Sequence, residues 1–191
     1  DVSQFAIISD PNRRFKFSII SKAVVPDVSL IDPEVTETMD AYLTACTGVD
    51  ALVHAIEAYV STGSGPLTDT HALEAIRLIN RNLPHGLCNA LLLEHVVAYN
   101  FQSAEDRFRR VAEAMDIDTR GMNKAEIKKR LMNRIVELKR RVGLEARLAQ
   151  LGVSVSDIPH LSGFALQDPC ILTNPRKSSL RDVQVVYEEA L

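Results

Sequence analysis

Between residues 40 and 61 apolar side chains recur at the three-to-four spacing of a helical face: Val49, Leu52, Val53, Ile56 and Val60 turn one way while polar positions turn the other. The same period predicts helices over 69–82 (Leu73, Ile76, Ile79 and Leu83), 87–99, 104–115 (Phe108, Val111 and Met115) and 124–142 (Ile127, Leu131, Ile135, Leu138 and Val142). Shorter helices are expected over 144–151, 156–166 and 179–190, with breaks at Gly152 and at Asn174-Pro175. Thr68 or Asp69 is a natural N-cap, Gly63-Ser64-Gly65-Pro66 reads as a loop, Asn123 and Glu126 have capping-box spacing, and Gly143 is placed to stop the helix before it. The first thirty or so residues follow a different rule. Runs at 4–9, 15–20 and 28–31 are short and rich in Phe, Ile and Val, and the turn formers Asp10-Pro11-Asn12 separate the first two, so three strands are expected. The pattern is a mainly α fold: a β segment over 1–33 leading into a helical domain over 34–191.

Composition changes this picture little. With 191 residues, 46% of them hydrophobic and 25% charged, the chain can bury a proper core. No apolar run is long enough to span a bilayer, so no membrane partner is expected, and the opening Asp-Val-Ser-Gln-Phe has neither a basic nor an apolar leader pattern. It also lacks an initiator Met, which reads as part of something longer. Cys46, Cys88 and Cys170 form no close-spaced pair, which suggests reduced thiols in a cytoplasmic setting. A net charge of -3 gives no general reason to bind nucleic acid. The basic run 124–141 has no interleaved aromatic residue, and its apolar positions make it the solvated side of a packed helix.

The candidate chemistry sits on the first long helix. Asp50 and His54 are four residues apart, so both project from one face and can converge on a metal ion; the same spacing also suits a solvated pair at the edge of the core. Spacing alone leaves both readings open. Three longer stretches add what spacing does not: Thr-Gly-Val-Asp-Ala-Leu-Val-His-Ala-Ile-Glu-Ala-Tyr at 47–59, Pro-His-Gly-Leu-Cys-Asn-Ala-Leu-Leu-Leu at 84–93 and Leu-Thr-Asn-Pro-Arg-Lys at 172–177. In this order they resemble signatures of the iron-containing (group III) alcohol dehydrogenases, and residues 5–11 with Lys16 resemble the end of that family's nucleotide-binding domain.

The resemblance implies a helical C-terminal metal-binding domain preceded by a β remnant, and an oxidoreductase that interconverts a primary alcohol or diol and its aldehyde with NAD or NADP. In the family an Asp, a His four residues later and two further His hold Fe(II), or Zn(II) in some members, as a Lewis acid for the alcohol oxygen. Asp50, His54 and His85 match three of these ligands. The remaining ligand, carried in the family on a His-x-x-x-His helix, has no counterpart, because Asn82-Leu83 runs directly into Pro84-His85-Gly86 and a deletion or gap is expected near 82–85. Of the cofactor cleft only Lys16 and Ile7 have matches, since the phosphate loops of relatives lie upstream of Asp1, so this chain alone is expected to be inactive. The alternative is a helical binding or structural module that has lost catalysis. A homo-oligomer is also expected, with apolar residues over 73–93 covered at the junction. His71, His95 and His160 match no ligand position and read as packing or surface residues; Glu94 stands where relatives commonly carry Pro. Cys170 resembles a position near the substrate pocket in some relatives, or is a small buried filler.

Overall fold

Strands β1 (Phe5–Asp10) and β2 (Phe15–Ile20) pair antiparallel, with Phe5 opposite Ile20 and Ile7 opposite Ser18. The computed structural model describes residues 5–10, 15–82, 90–141 and 146–191. The third expected strand does not form. Val28, Leu30 and Ile31 are exposed in irregular chain between Pro26 and Pro33, and no ladder hydrogen bond reaches them among the described residues. Residues that neither pair nor pack have nothing to offset the ordering cost of a strand.

The chain divides into two units, Asp1–Met39 and Asp40–Leu191. The second is helical: α1 (Ala41–Val60), α2 (Pro66–Asn82), α3 (Ala90–Asn100), α4 (Glu105–Ala114), α5 (Lys124–Arg141), α6 (Ile158–Gln167) and α7 (Leu180–Ala190). Helix α1 starts where Asp40 can cap it, its carboxylate accepting from Leu43 N at 2.9 Å. Helix α2 begins three residues before the expected Asp69. Pro66 occupies its first turn, where a missing N–H costs nothing, and Thr68 bonds back to Gly65 instead of capping from outside. The Asn123–Glu126 capping box opens α5 as expected, at 2.8 and 3.0 Å. Over its described residues, 146–151, the expected helix is one 3-10 turn at Leu148–Leu151, closed by Gly152 in the left-handed region (φ 86°); residues 87–89, 144–145 and the stop at Gly143 lie outside the described residues.

The core lies where α1, α2, α4 and α5 meet. Leu52, Ile56, Ile76, Phe108, Val111, Met115, Ile127, Leu131 and Ile135 are buried there, and Phe101 stacks on Phe108 with ring centroids 5.6 Å apart. Helix α3 packs on α1, α5 and α7, and α6 on α7. Leu73, Ile76, Leu91 and Leu93, apolar residues flanking 82–90, are covered within the chain by these neighbours. Most basic residues of α5 face out, but Lys139 is buried and binds Glu94 of α3 at 2.5 Å. No helix among the described residues is long and apolar enough to cross a membrane.

Candidate metal centre

Burying Val49, Leu52, Ile56 and Val60 fixes the rotation of α1, so Asp50 and His54 are turned outward. Their side chains are 43% and 71% exposed, and His54 Nε2 lies 3.7 Å from Asp50 Oδ2. One ion with metal–ligand bonds of about 2.0–2.2 Å can touch both atoms at that separation. The donors, one carboxylate and one imidazole, suit Fe(II) or Zn(II). His85 lies outside the described residues, and among those described no group of three or more His, Cys, Asp or Glu is gathered tightly enough to hold an ion. Lys16 lies on β2 opposite Ser9, and Ile7 on β1 is 69% exposed; both belong to the first unit.

Spacing alone does not point to the second carboxylate on this face. Glu57 stands one turn beyond His54, with Oε2 3.8 Å from His54 Nδ1. Partial burial raises its pKa; His54 pulls it down, while Asp50 and Asp168 push it up. Asp168 caps the 3-10 turn Pro169–Thr173, accepting from Cys170 N at 2.8 Å. The Cys170 thiol is exposed, which removes the buried-filler reading, and its pKa is raised by desolvation and by its hydrogen bond to Asp168. Asp168 and Cys170 lie more than a hundred positions from Glu57 in the sequence, so no local pattern reveals that they face it.

The third sequence signature has a mechanical role. Thr62, just past α1, donates its N–H to Thr173 O at 3.0 Å. Asn100 and Asn174 exchange hydrogen bonds at 2.8 and 2.9 Å, and Arg176 stacks 4.0 Å from the Tyr99 ring centroid while donating to Tyr99 O. These bonds hold the Asp168–Cys170 turn against the ends of α1 and α3. A second clamp is Arg107 of α4, which donates to Tyr59 O and to Asp69, each at 2.5 Å, and lies over the Tyr59 ring. Of the other histidines, His71 is exposed, His160 meets Phe164 edge-on, and His95 lies between Glu94 and Glu189. A cavity of about 650 Å³ beyond the C-terminal end of α1, beside Thr62, Gln102 and Arg107, reaches neither Asp50 nor His54. The Asp50–His54 pair sits on an open face instead.

Comparison with known proteins bears on this face. The profile described as "Fe-containing alcohol dehydrogenase family, C-terminal" matches residues 44–84 and 81–191, two stretches that meet at 81–84. The NAD-dependent methanol dehydrogenase of Bacillus methanolicus is 28% identical over 239 residues, covering all of this chain and 63% of that protein. Because the chain has 191 residues, at least 48 of those 239 positions face no residue here. The 1,3-propanediol dehydrogenase of Citrobacter freundii is 30% identical, covering all of this chain and 62% of its own length. A crystal structure of 1,3-propanediol oxidoreductase superposes with a TM-score of 0.92 at 29% identity, over 99% of this chain and 62% of that one. The chain thus spans about three fifths of the length of the relatives it matches.

Proposed function

Because the chain belongs to the iron-containing alcohol dehydrogenase family, we propose that it is the metal-binding helical part of an NAD(P)-linked oxidoreductase interconverting a primary alcohol or diol and its aldehyde. The observation that carries this is the Asp50–His54 pair, held on one open helix face at 3.7 Å by the burial of the opposite face. Asp50, His54 and His85 would hold Fe(II) or Zn(II), which when bound supplies Lewis acidity toward the substrate oxygen. Asp50 brings the negative charge that offsets part of the ion's, and His54 a neutral nitrogen donor. Ile7 and Lys16 would contribute to the nicotinamide side. The alcohol class follows the names of the relatives, which act on methanol and on 1,3-propanediol.

One observation favours a second reading, a helical module without catalysis. The profile matches meet at 81–84, where relatives would be expected to supply a further ligand. Two measurements on the 191-residue chain separate the readings. Metal titration should show Zn(II) or Fe(II) binding that His54→Ala abolishes, which supports the metal-site reading. Assay of NAD(P)H formation with added metal and alcohol should show none from this chain alone; turnover dependent on Asp50 and His54 would refute the expected inactivity, and binding indifferent to His54→Ala would refute the metal site.

A further inference from the structure

A histidine that binds a metal through one ring nitrogen keeps its proton on the other, and that N–H needs an acceptor to fix the tautomer and the ring plane. His54 is flanked on both sides by carboxylates of its own helix. Nε2 faces Asp50 Oδ2 at 3.7 Å, and Nδ1 faces Glu57 Oε2 at 3.8 Å. The two contacts divide the ring: the nitrogen beside Asp50 is the one that can share an ion with it, which leaves Nδ1 as the proton carrier. Resting on the metal-site reading above, we propose that Glu57 is a positioning residue that accepts the Nδ1 proton of His54 and thereby keeps the Nε2 lone pair directed toward Asp50.

The present separation is longer than a hydrogen bond, and closing it by about 1 Å brings it to the usual N–H···O distance of about 2.9 Å. Rotation about the side-chain bonds of Glu57 can close this gap, because that side chain is 58% exposed. The rest of its surroundings favour the same partner. Asp50, the other carboxylate on this helix face, lies against the opposite ring nitrogen, so Glu57 is the carboxylate placed to accept from Nδ1. A carboxylate acting on a bound ligand from behind commonly changes metal affinity about 10–100-fold. At i+3 from His54, Glu57 stands one turn along the same helix, so the helix itself places the two side chains side by side.

The test compares the unaltered chain with Glu57→Ala, Glu57→Gln and His54→Ala, by Zn(II) affinity and by ¹⁵N NMR of the neutral His54 tautomer in the metal-free chain. Glu57→Ala should weaken Zn(II) binding about 10–100-fold and move the neutral imidazole from the Nδ1–H toward the Nε2–H form. Glu57→Gln should restore most of both, since an amide oxygen accepts the same proton. Far-UV circular dichroism and Tm should be unchanged in both. A tautomer that does not move in Glu57→Ala overturns the proposal whatever the affinity does, and so does a Gln variant as impaired as the Ala variant. If His54→Ala binds Zn(II) as well as the unaltered chain, the metal site itself fails, while the metal-free tautomer measurement still decides the role of Glu57.

Discussion

Replacing Lys139 by Met should destabilise this protein more than replacing any exposed basic residue of the same helix. Lys139 Nζ lies 2.5 Å from Glu94 Oε1, and the two side chains are only 9% and 16% exposed. The second carboxylate oxygen, Oε2, is closed to solvent and has no donor among the described residues, so the lysine is the main compensation for a charge already poorly solvated. Removing one member of a buried pair typically costs about 3–5 kcal/mol. His95, whose Nε2 lies 3.8 Å from Glu94 Oε1, takes up part of the loss and places the expected cost near the lower end, about 3 kcal/mol. For a chain of this size that lowers Tm by about 6–12 °C. The informative partner is the double variant Glu94→Leu with Lys139→Met, which removes both charges and should return stability to within about 1 kcal/mol of the unaltered chain or above it. Urea unfolding followed by circular dichroism reads all three, provided the m-value is unchanged. A Lys139→Met cost below about 1 kcal/mol, or a double variant as unstable as the single, would refute the reasoning and mean that the pair is solvated.

Arg107→Ala should cost about 3 kcal/mol by urea unfolding, since it removes two charge-assisted hydrogen bonds and a ring contact from a partly buried site, while Arg107→Lys keeps the charge and should recover about half; full recovery by Lys would show that the planar fork is irrelevant. Phe108→Ala, at the centre of the core, should cost about 3–5 kcal/mol. Arg120 donates from its side chain and backbone to Asp118 and lowers that carboxyl to about 2. A depressed folded pKa stabilises above the unfolded value near 3.9, and the contribution is lost as pH falls toward about 2. Carboxyl NMR titration of Arg120→Ala should therefore find Asp118 moved up toward the ordinary aspartate range, with the residue-120 backbone N–H still donating, and an unmoved titration would exclude the Arg120 side chain as a cause.

Elements set by local chemistry were legible in the sequence, and elements set by partners were not. Helix α1 begins one residue after Asp40 because an N-cap and an apolar period are both local; the same holds for the Asn123–Glu126 box of α5. The run 28–31 has strand composition without a strand beside it, and composition carries no information about neighbours. At the α2 start, Gly63-Ser64-Gly65-Pro66 has loop composition, yet Pro66 begins the helix because a first turn accepts Pro equally well. The site divides the same way. Helical geometry requires that Asp50 and His54 share a face, so their juxtaposition followed from spacing. Glu57 lies within the quoted motif, yet its meaning depends on which nitrogen of His54 it faces, and that is a rotamer question. Asp168 and Cys170 arrive beside α1 only through the closure of the Asn174–Arg176 segment.

That closure also sets an order of events in time. Thr62 and Thr173 are 111 residues apart, Tyr99 and Lys177 are 78 apart, and Asn100 and Asn174 are 74 apart. The α1–α2 hairpin, by contrast, closes over a five-residue loop and buries a continuous apolar seam as it does so. Loop entropy must be met before a distant contact returns anything, so the hairpin and the helices it nucleates form first and the carboxyl-terminal segment docks late. Substitutions at Asn174 or Arg176 should leave the refolding rate almost untouched and accelerate unfolding. The face bearing Asp50 and His54 would then exist, in outline, before the turn bearing Asp168 and Cys170 has arrived beside it.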